Sequence, residues 1–144
     1  MWKELAKQHS SAVVVQAGAS EADIQIAEAA LAVSLPGDLR KCLLESDGIE
    51  GEYGLGLIWS LERIVRENQS FREVAEFKEL YMPFDCLLFF ADAGNGDQFA
   101  FSIQAGEIRR DDVFVWNHEN DSRTWVAPSL SEYLEWWLSG KFTV

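Results

Sequence analysis

The chain has 144 residues, with 24 acidic against 12 basic side chains, a formal charge of −12 and a hydrophobic fraction of 48%. Surface scaling leaves roughly 7,500 Å² of roughly 23,600 Å² exposed at this size, enough burial for one domain without disulfide or metal staples, and the apolar content excludes a wholly disordered chain. The acidity argues against nucleic acid and anionic membranes as partners, because both are held by clustered Lys and Arg.

Helical spacing dominates the first half. Residues 2–9 form a short amphipathic start that lacks the pattern of a signal peptide, and Ala12 to Val15 is too short for a membrane span. The expected location is therefore the cytoplasm. Ser20 is placed to cap a helix, with Glu21 and Asp23 in the first turn and Ile24, Ala27 and Leu31 along one face. Leu35-Pro36-Gly37-Asp38 breaks that helix and offers Asp38 as the next cap. Leu39, Cys42 and Leu43 then form an apolar face ending near Asp47-Gly48. Residues 48–59 read as a long ordered loop or a short strand. Ser60 caps a further helix through Leu61, Ile64 and Val65 that is expected to reach about Phe77.

Strand patterns dominate the second half. Cys86 to Ala91 is a continuous apolar run, as in a strand buried on both faces, whereas Phe99, Phe101 and Ile103 alternate with Gln98, Ala100 and Ser102 as in a half-buried one. Asn95-Gly96 between them signals a hairpin, since both residues tolerate positive φ. Val113 to Trp116 and Thr124 to Ala127 read as two more strands, turning at Glu119-Asn120-Asp121-Ser122. Ser129-Leu130-Ser131-Glu132 is a capping box opening a last helix, with an apolar stripe of Leu130, Tyr133, Leu134, Trp137 and Leu138 and a stop at Gly140. The succession predicts one α+β domain over 1–144, with a central antiparallel β-sheet flanked by helices.

The search for chemistry yields no catalytic set. Gly94-Asn95-Gly96-Asp97 lacks the Gly-Lys-Ser/Thr and the following helix of a phosphate loop. Asp92, Asn95 and Asp97 carry oxygens of the kind Ca²⁺ takes, at a spacing that does not match an EF-hand. His118-Glu119 has no second histidine four residues on, and no Gly-x-Ser-x-Gly elbow occurs. Cys42 and Cys86 lie among apolar neighbours and are expected to be buried, reduced thiols. Asn68-Gln69-Ser70 and Asn120-Asp121-Ser122 match the glycosylation pattern, which carries no meaning without secretion. No enzyme activity, metal or cofactor is therefore expected. From Asp85 to Glu135 ten acids face three bases. Two readings of this excess stand: a solvated surface that aids solubility, or a patch that steers a basic protein while nearby aromatics anchor it. Trp136 falls off the apolar stripe and is either an exposed anchor or packed on the sheet.

Ala19-Ser20-Glu21, Leu35-Pro36-Gly37-Asp38-Leu39-Arg40, Leu57-Ile58-Trp59-Ser60-Leu61-Glu62, Phe89 to Phe101, Val115 to Glu119 and Val126 to Leu130 follow an order that resembles the SUKH superfamily, in its cell-wall-assembly-regulator (Smi/Knr) type, over residues 18–138. The resemblance implies a sheet flanked by helices and a non-catalytic, protein-binding role. Bacterial members act as immunity proteins that neutralise toxin domains, often nucleases; fungal relatives act as interaction scaffolds. Of the positions that match the family's motifs, Asp97 and Trp116 are expected to face a ligand. The expected partner is a basic toxin domain, with a general cytoplasmic scaffold or regulator as the alternative. The expected contact surface is Asp92, Asn95 and Asp97 at the hairpin tip, Glu107, Asp111, Asp112, Glu119 and Asp121 around it, and Trp116 as the anchor.

Overall fold

The computed structural model describes residues 1–144. Its first helices are α1 (Trp2–His9), α2 (Glu21–Leu31) and α3 (Gly37–Glu45). Ser20 caps α2, its hydroxyl accepting from the Asp23 N–H at 3.1 Å, and α2 stops where Ala32 turns left-handed at φ 55°. Pro36, not Asp38, occupies the cap position of α3. A side-chain cap is dispensable there because Glu28 ties the two helices together instead. One of its oxygens accepts from the Leu35 N–H at 2.7 Å and the other from Arg40 at 2.8 Å.

Two antiparallel sheets follow. The first orders β1 (Val14–Val15), β2 (Ile49–Glu50) and β3 (Gly56–Ile58), with a 3-10 turn at Glu52–Gly54 between the last two. The open reading of 48–59 thus resolves into two short strands around a turn. The second sheet orders β4 (Leu87–Asp92), β5 (Gln98–Ser102), β6 (Val113–Trp116) and β7 (Arg123–Ala127). The sheets meet where the Trp59 N–H, just beyond β3, donates to the Phe90 carbonyl of β4 at 2.8 Å.

Between the sheets in sequence lie α4 (Leu61–Glu73), capped by Ser60 as expected, and α5 (Ala75–Leu80). The single helix expected to reach Phe77 is broken at Val74, whose backbone is extended. The break turns Phe77 back to stack on Phe71 at 5.1 Å, so both rings serve one core. The last helix, α6 (Leu130–Ser139), starts at Ser129, whose hydroxyl accepts from the Glu132 N–H at 3.2 Å, and ends at Gly140.

Neighbouring strand residues point to opposite faces, so Phe89 and Phe90 face opposite sides of the sheet within one core. On one side of this single core Phe89 meets Phe71 at 4.8 Å, and Phe84 meets Trp116 at 5.2 Å, beneath α4 and α5. On the other, Phe90 stacks on Phe101 at 4.6 Å while Tyr133 of α6 meets Phe90 at 5.2 Å and Phe99 at 4.8 Å. The Tyr133 hydroxyl donates to the Leu57 carbonyl at 2.9 Å, pinning α6 to β3. Burial, and then the Asp92 charge, push that phenol well above its ordinary pKa, so it stays a donor. Both faces of the larger sheet are covered over β4 and β5, whereas Thr124 and Trp125 of the edge strand β7 are exposed. Phe99, Ala100 and Phe101 are all buried, which corrects the half-buried expectation for β5. Ala100 sits in register between Phe89 and Phe114, where a small side chain leaves room for two rings. Cys42 is buried but Cys86 is exposed, which corrects the expected pair of buried thiols: Cys86 precedes the first residue of β4 and lies outside the sheet's cover.

Candidate protein-binding surface

Antiparallel order brings two loops to one end of the larger sheet: 93–97 between β4 and β5, and 117–122 between β6 and β7. They are joined from inside. Asp97, 5% exposed, accepts from the His118 N–H at 3.0 Å, and His118 Nδ1 lies 2.6 Å from the same carboxylate oxygen. Asn95 accepts from the Asp97 N–H at 3.0 Å, which closes the first loop on itself. Gly96 has φ +97°, and a Cβ there would stand 2.9 Å from the His118 ring. The second loop turns on Asp121, itself at φ 60°. Its carboxylate accepts from the Trp116 indole at 2.8 Å, from the Met82 N–H at 2.9 Å and from Arg123 at 3.1 Å. Burial alone would raise this carboxyl; the three hydrogen bonds and the Arg123 charge outweigh it and hold the pKa below the ordinary value.

The nine residues expected at the contact surface therefore divide. Trp116 is 3% exposed and packs against Phe84, Tyr81, Phe71 and Phe89, so the structure corrects its expected role as an exposed anchor. Asp97 is likewise an internal clamp and not exposed to a ligand, and Asp121 faces inward to its three donors. Asp92 is turned to Arg63, 2.9 Å away, so it does not converge with Asn95 and Asp97 on a cation position. Asn95 and Glu119 are exposed at the loop end. Glu107 and Asp111 are also exposed, but they and Asp112, which pairs with Arg110 at 3.1 Å, lie between β5 and β6 at the opposite end of the sheet. The acids do not form one patch. They divide between two ends because a hairpin sheet places alternate loops at opposite ends.

The exposed aromatic residue beside the 93–97 loop is Tyr53. It stands fully in solvent at the turn between β2 and β3, in a left-handed conformation uncommon for a bulky residue. Leu55 from the same turn reaches within 3.4 Å of where a Cβ on Gly94 would be. Glu50 and Glu52 flank it, both exposed. Sequence reasoning missed Tyr53 because one aromatic in a glycine-rich stretch reads as core or turn filler; the signal available was Gly51 and Gly54 on either side of it. Trp136, left open between anchor and packing, is half-buried. It meets Trp125 of β7 at 6.4 Å, and Lys141 lies over its ring at 4.2 Å.

These elements define an α+β domain whose larger sheet is buried on both faces at β4 and β5 and whose polar loops cluster at the sheet ends. The model of the SMI1 / KNR4 family (SUKH-1) matches residues 18–136, and the chain belongs to that family. No curated protein matches the chain. Family membership supports a protein-binding domain of the kind found among immunity proteins. No helix is long and apolar enough to cross a membrane.

Proposed function

We propose that this chain is an immunity protein that binds a cognate toxin domain of basic surface and neutralises it through acids presented at the ends of the sheet. The observation that carries the reading is the combination of family membership with a formal charge of −12, part of which is exposed at the sheet ends at Glu107, Asp111 and Glu119. A basic enzyme that must attract phosphate is complementary to such a field, which raises the association rate more than it raises affinity. Tyr53 supplies what charge cannot. Tyrosine buries a large rigid area at low entropic cost and is enriched among the residues that dominate binding energy. It takes the anchoring role expected of Trp116. The remaining candidates act in two groups: Asn95 and Glu119 on the 93–97 and 117–122 loops, and Glu107 and Asp111 at the other end. Asp92, Asp97, Asp112 and Asp121 shape the loops and contribute field.

Affinity capture from the source cells, with salt varied in the wash, tests the reading. It is expected to recover one basic toxin domain, lost as salt rises. Lysine at Asn95 and Glu119, or in a second variant at Glu107 and Asp111, then identifies the contacting end. The contacting pair should weaken binding by roughly tenfold or more and flatten its salt dependence. Recovery of housekeeping partners alone moves the assignment to a general scaffold, and unchanged affinity in both variants overturns this surface.

A further inference from the structure

Helices α2 and α4 pack against each other, and along the seam on their outer side runs a cleft of about 700 Å³. From α2 it is lined at Asp23, Ile26, Ala27 and Ala30, and from α4 at Glu62, Val65, Arg66, Gln69, Ser70 and Glu73. These are the i, i+3, i+4, i+7 positions of two helix stripes. Its floor is apolar and shallow because α2 puts alanines there, while Ile26 stands 68% exposed at its edge. Its rim carries four carboxylates, Asp23, Asp47, Glu62 and Glu73, against one guanidinium, Arg66. Arg66 leans 3.7 Å from Glu67 outside the cleft.

Asp47 also lines the neighbouring hollow formed with Glu50, Gly56, Trp59 and Arg63. Arg63 in turn holds Asp92 at the foot of the 93–97 loop. The cleft thus adjoins that hollow, whose Arg63 reaches the last residue of β4.

We propose that the α2–α4 cleft is the docking groove for a basic amphipathic helix of the protein partner. The inference rests on the protein-binding reading above and adds the occupant's form. A helix with large apolar side chains at i and i+3 or i+4 places them on the alanine floor, and lysines or arginines flanking that stripe meet the four rim carboxylates. An acidic or purely polar segment fits neither the floor nor the rim. The alanines on α2 then have a purpose that burial alone does not supply, since Ala30 is exposed in the free chain.

The test uses the full-length chain and a helical peptide of leucine and lysine, about four turns long, with the leucines on one stripe. Nuclear magnetic resonance shift changes on adding the peptide are expected at residues 23–30 and 62–73. Ala30→Trp fills the floor without altering charge and should weaken the peptide by roughly tenfold or more. Ser70→Trp, at an exposed site on the opposite wall, should do the same and serves if the first variant misfolds. A scrambled peptide of the same composition should not reproduce the localised shifts. Binding that persists unchanged in both tryptophan variants is generic attraction to an acidic surface and overturns the proposal. So do shifts confined to the loop end, or concentration-dependent self-association through the same residues, which would assign the cleft to a second copy of the chain. If toxin capture survives Ala30→Trp but fails with the loop-end variants, the groove is wrong and the protein-binding reading stands.

Discussion

Asn68 is fully buried on α4, yet each end of its amide is used. Its amino group donates to the Ile64 carbonyl at 2.7 Å and the Phe89 carbonyl at 2.8 Å, and its oxygen accepts from the Phe89 N–H at 2.8 Å. The side chain satisfies both backbone groups of Phe89 as a neighbouring strand would, at the point where β4 bulges against β5. Asn68→Leu keeps the branched shape, at a somewhat larger volume, and strands those two groups in the core. It should cost about 2–4 kcal/mol, read as a lowered denaturant midpoint with an unchanged slope. Asp121→Asn isolates charge from shape, since Asn tolerates the left-handed backbone. The folded Asp121 carboxyl is held below its ordinary 3.8. Its contribution is therefore complete above that value and is lost as pH falls through the folded pKa. The variant should be about 1–3 kcal/mol less stable at neutral pH, and the gap should narrow as the pH is taken down through the lowered pKa of the folded carboxyl. The cysteines offer a third check. Burial, with Glu45 and Asp38 adding to it, pushes the Cys42 thiol up to about 12. A thiol-specific reagent should modify Cys86 alone in the native protein and both residues after denaturation.

At the scale of elements, α1 depends on a carboxylate from elsewhere in the chain. Glu45, the last residue of α3, accepts from the Met1 ammonium at 3.1 Å, the Lys3 N–H at 2.9 Å and the Trp2 N–H at 3.2 Å. It thereby caps a helix that has no cap of its own. Burial would raise this carboxyl, but the donors from Lys3, the terminal ammonium and Trp2 hold it down. Glu45→Ala should loosen α1 by about 1 kcal/mol, seen as faster amide exchange over residues 3–9 ahead of global unfolding. Local signals in the sequence recovered the caps at Ser20, Ser60 and Ser129, the strand at 87–91 and the stop at Gly140, because each depends on neighbours within a few positions. The pieces that escaped depend on distant partners. The strands at 14–15, 49–50 and 56–58 are too short to show a period and exist only because they pair with one another. The kink at Val74 follows from a place for Phe77 beside Phe71. Trp116 reads as surface beside four acids, and only the ring cluster beneath α4 and α5 reveals it as core.

For the whole molecule, charge and shape act at different ranges. Acids at both sheet ends and along the α2–α4 cleft make the field broad, so one reversed charge should change little while two at the contacting end should be felt. Association rates with a basic partner should fall steeply between low and physiological salt, where the screening length shrinks to about 8 Å, while dissociation changes less. Stopped-flow mixing at several salt concentrations measures both. The acidity was legible from composition alone; its division between two ends was not, because it follows from which loops an antiparallel sheet sets side by side.

The clamps at Asp97–His118 and at Asp121 have a further consequence for how such a protein changes over generations. They fix the course of both loops from within, so the Glu119 side chain on the outside is free of that duty, whereas Asn95 and Asn120 still tie their own loops through the Asp97 and Ser122 N–H groups. Tyr53, on a turn outside the core, is as free as Glu119. Mutations at Glu119 and Tyr53 alter what the surface recognises while leaving the scaffold folded. A lineage whose binding partner changes can therefore revise its specificity one side chain at a time, without first acquiring compensating changes in the interior.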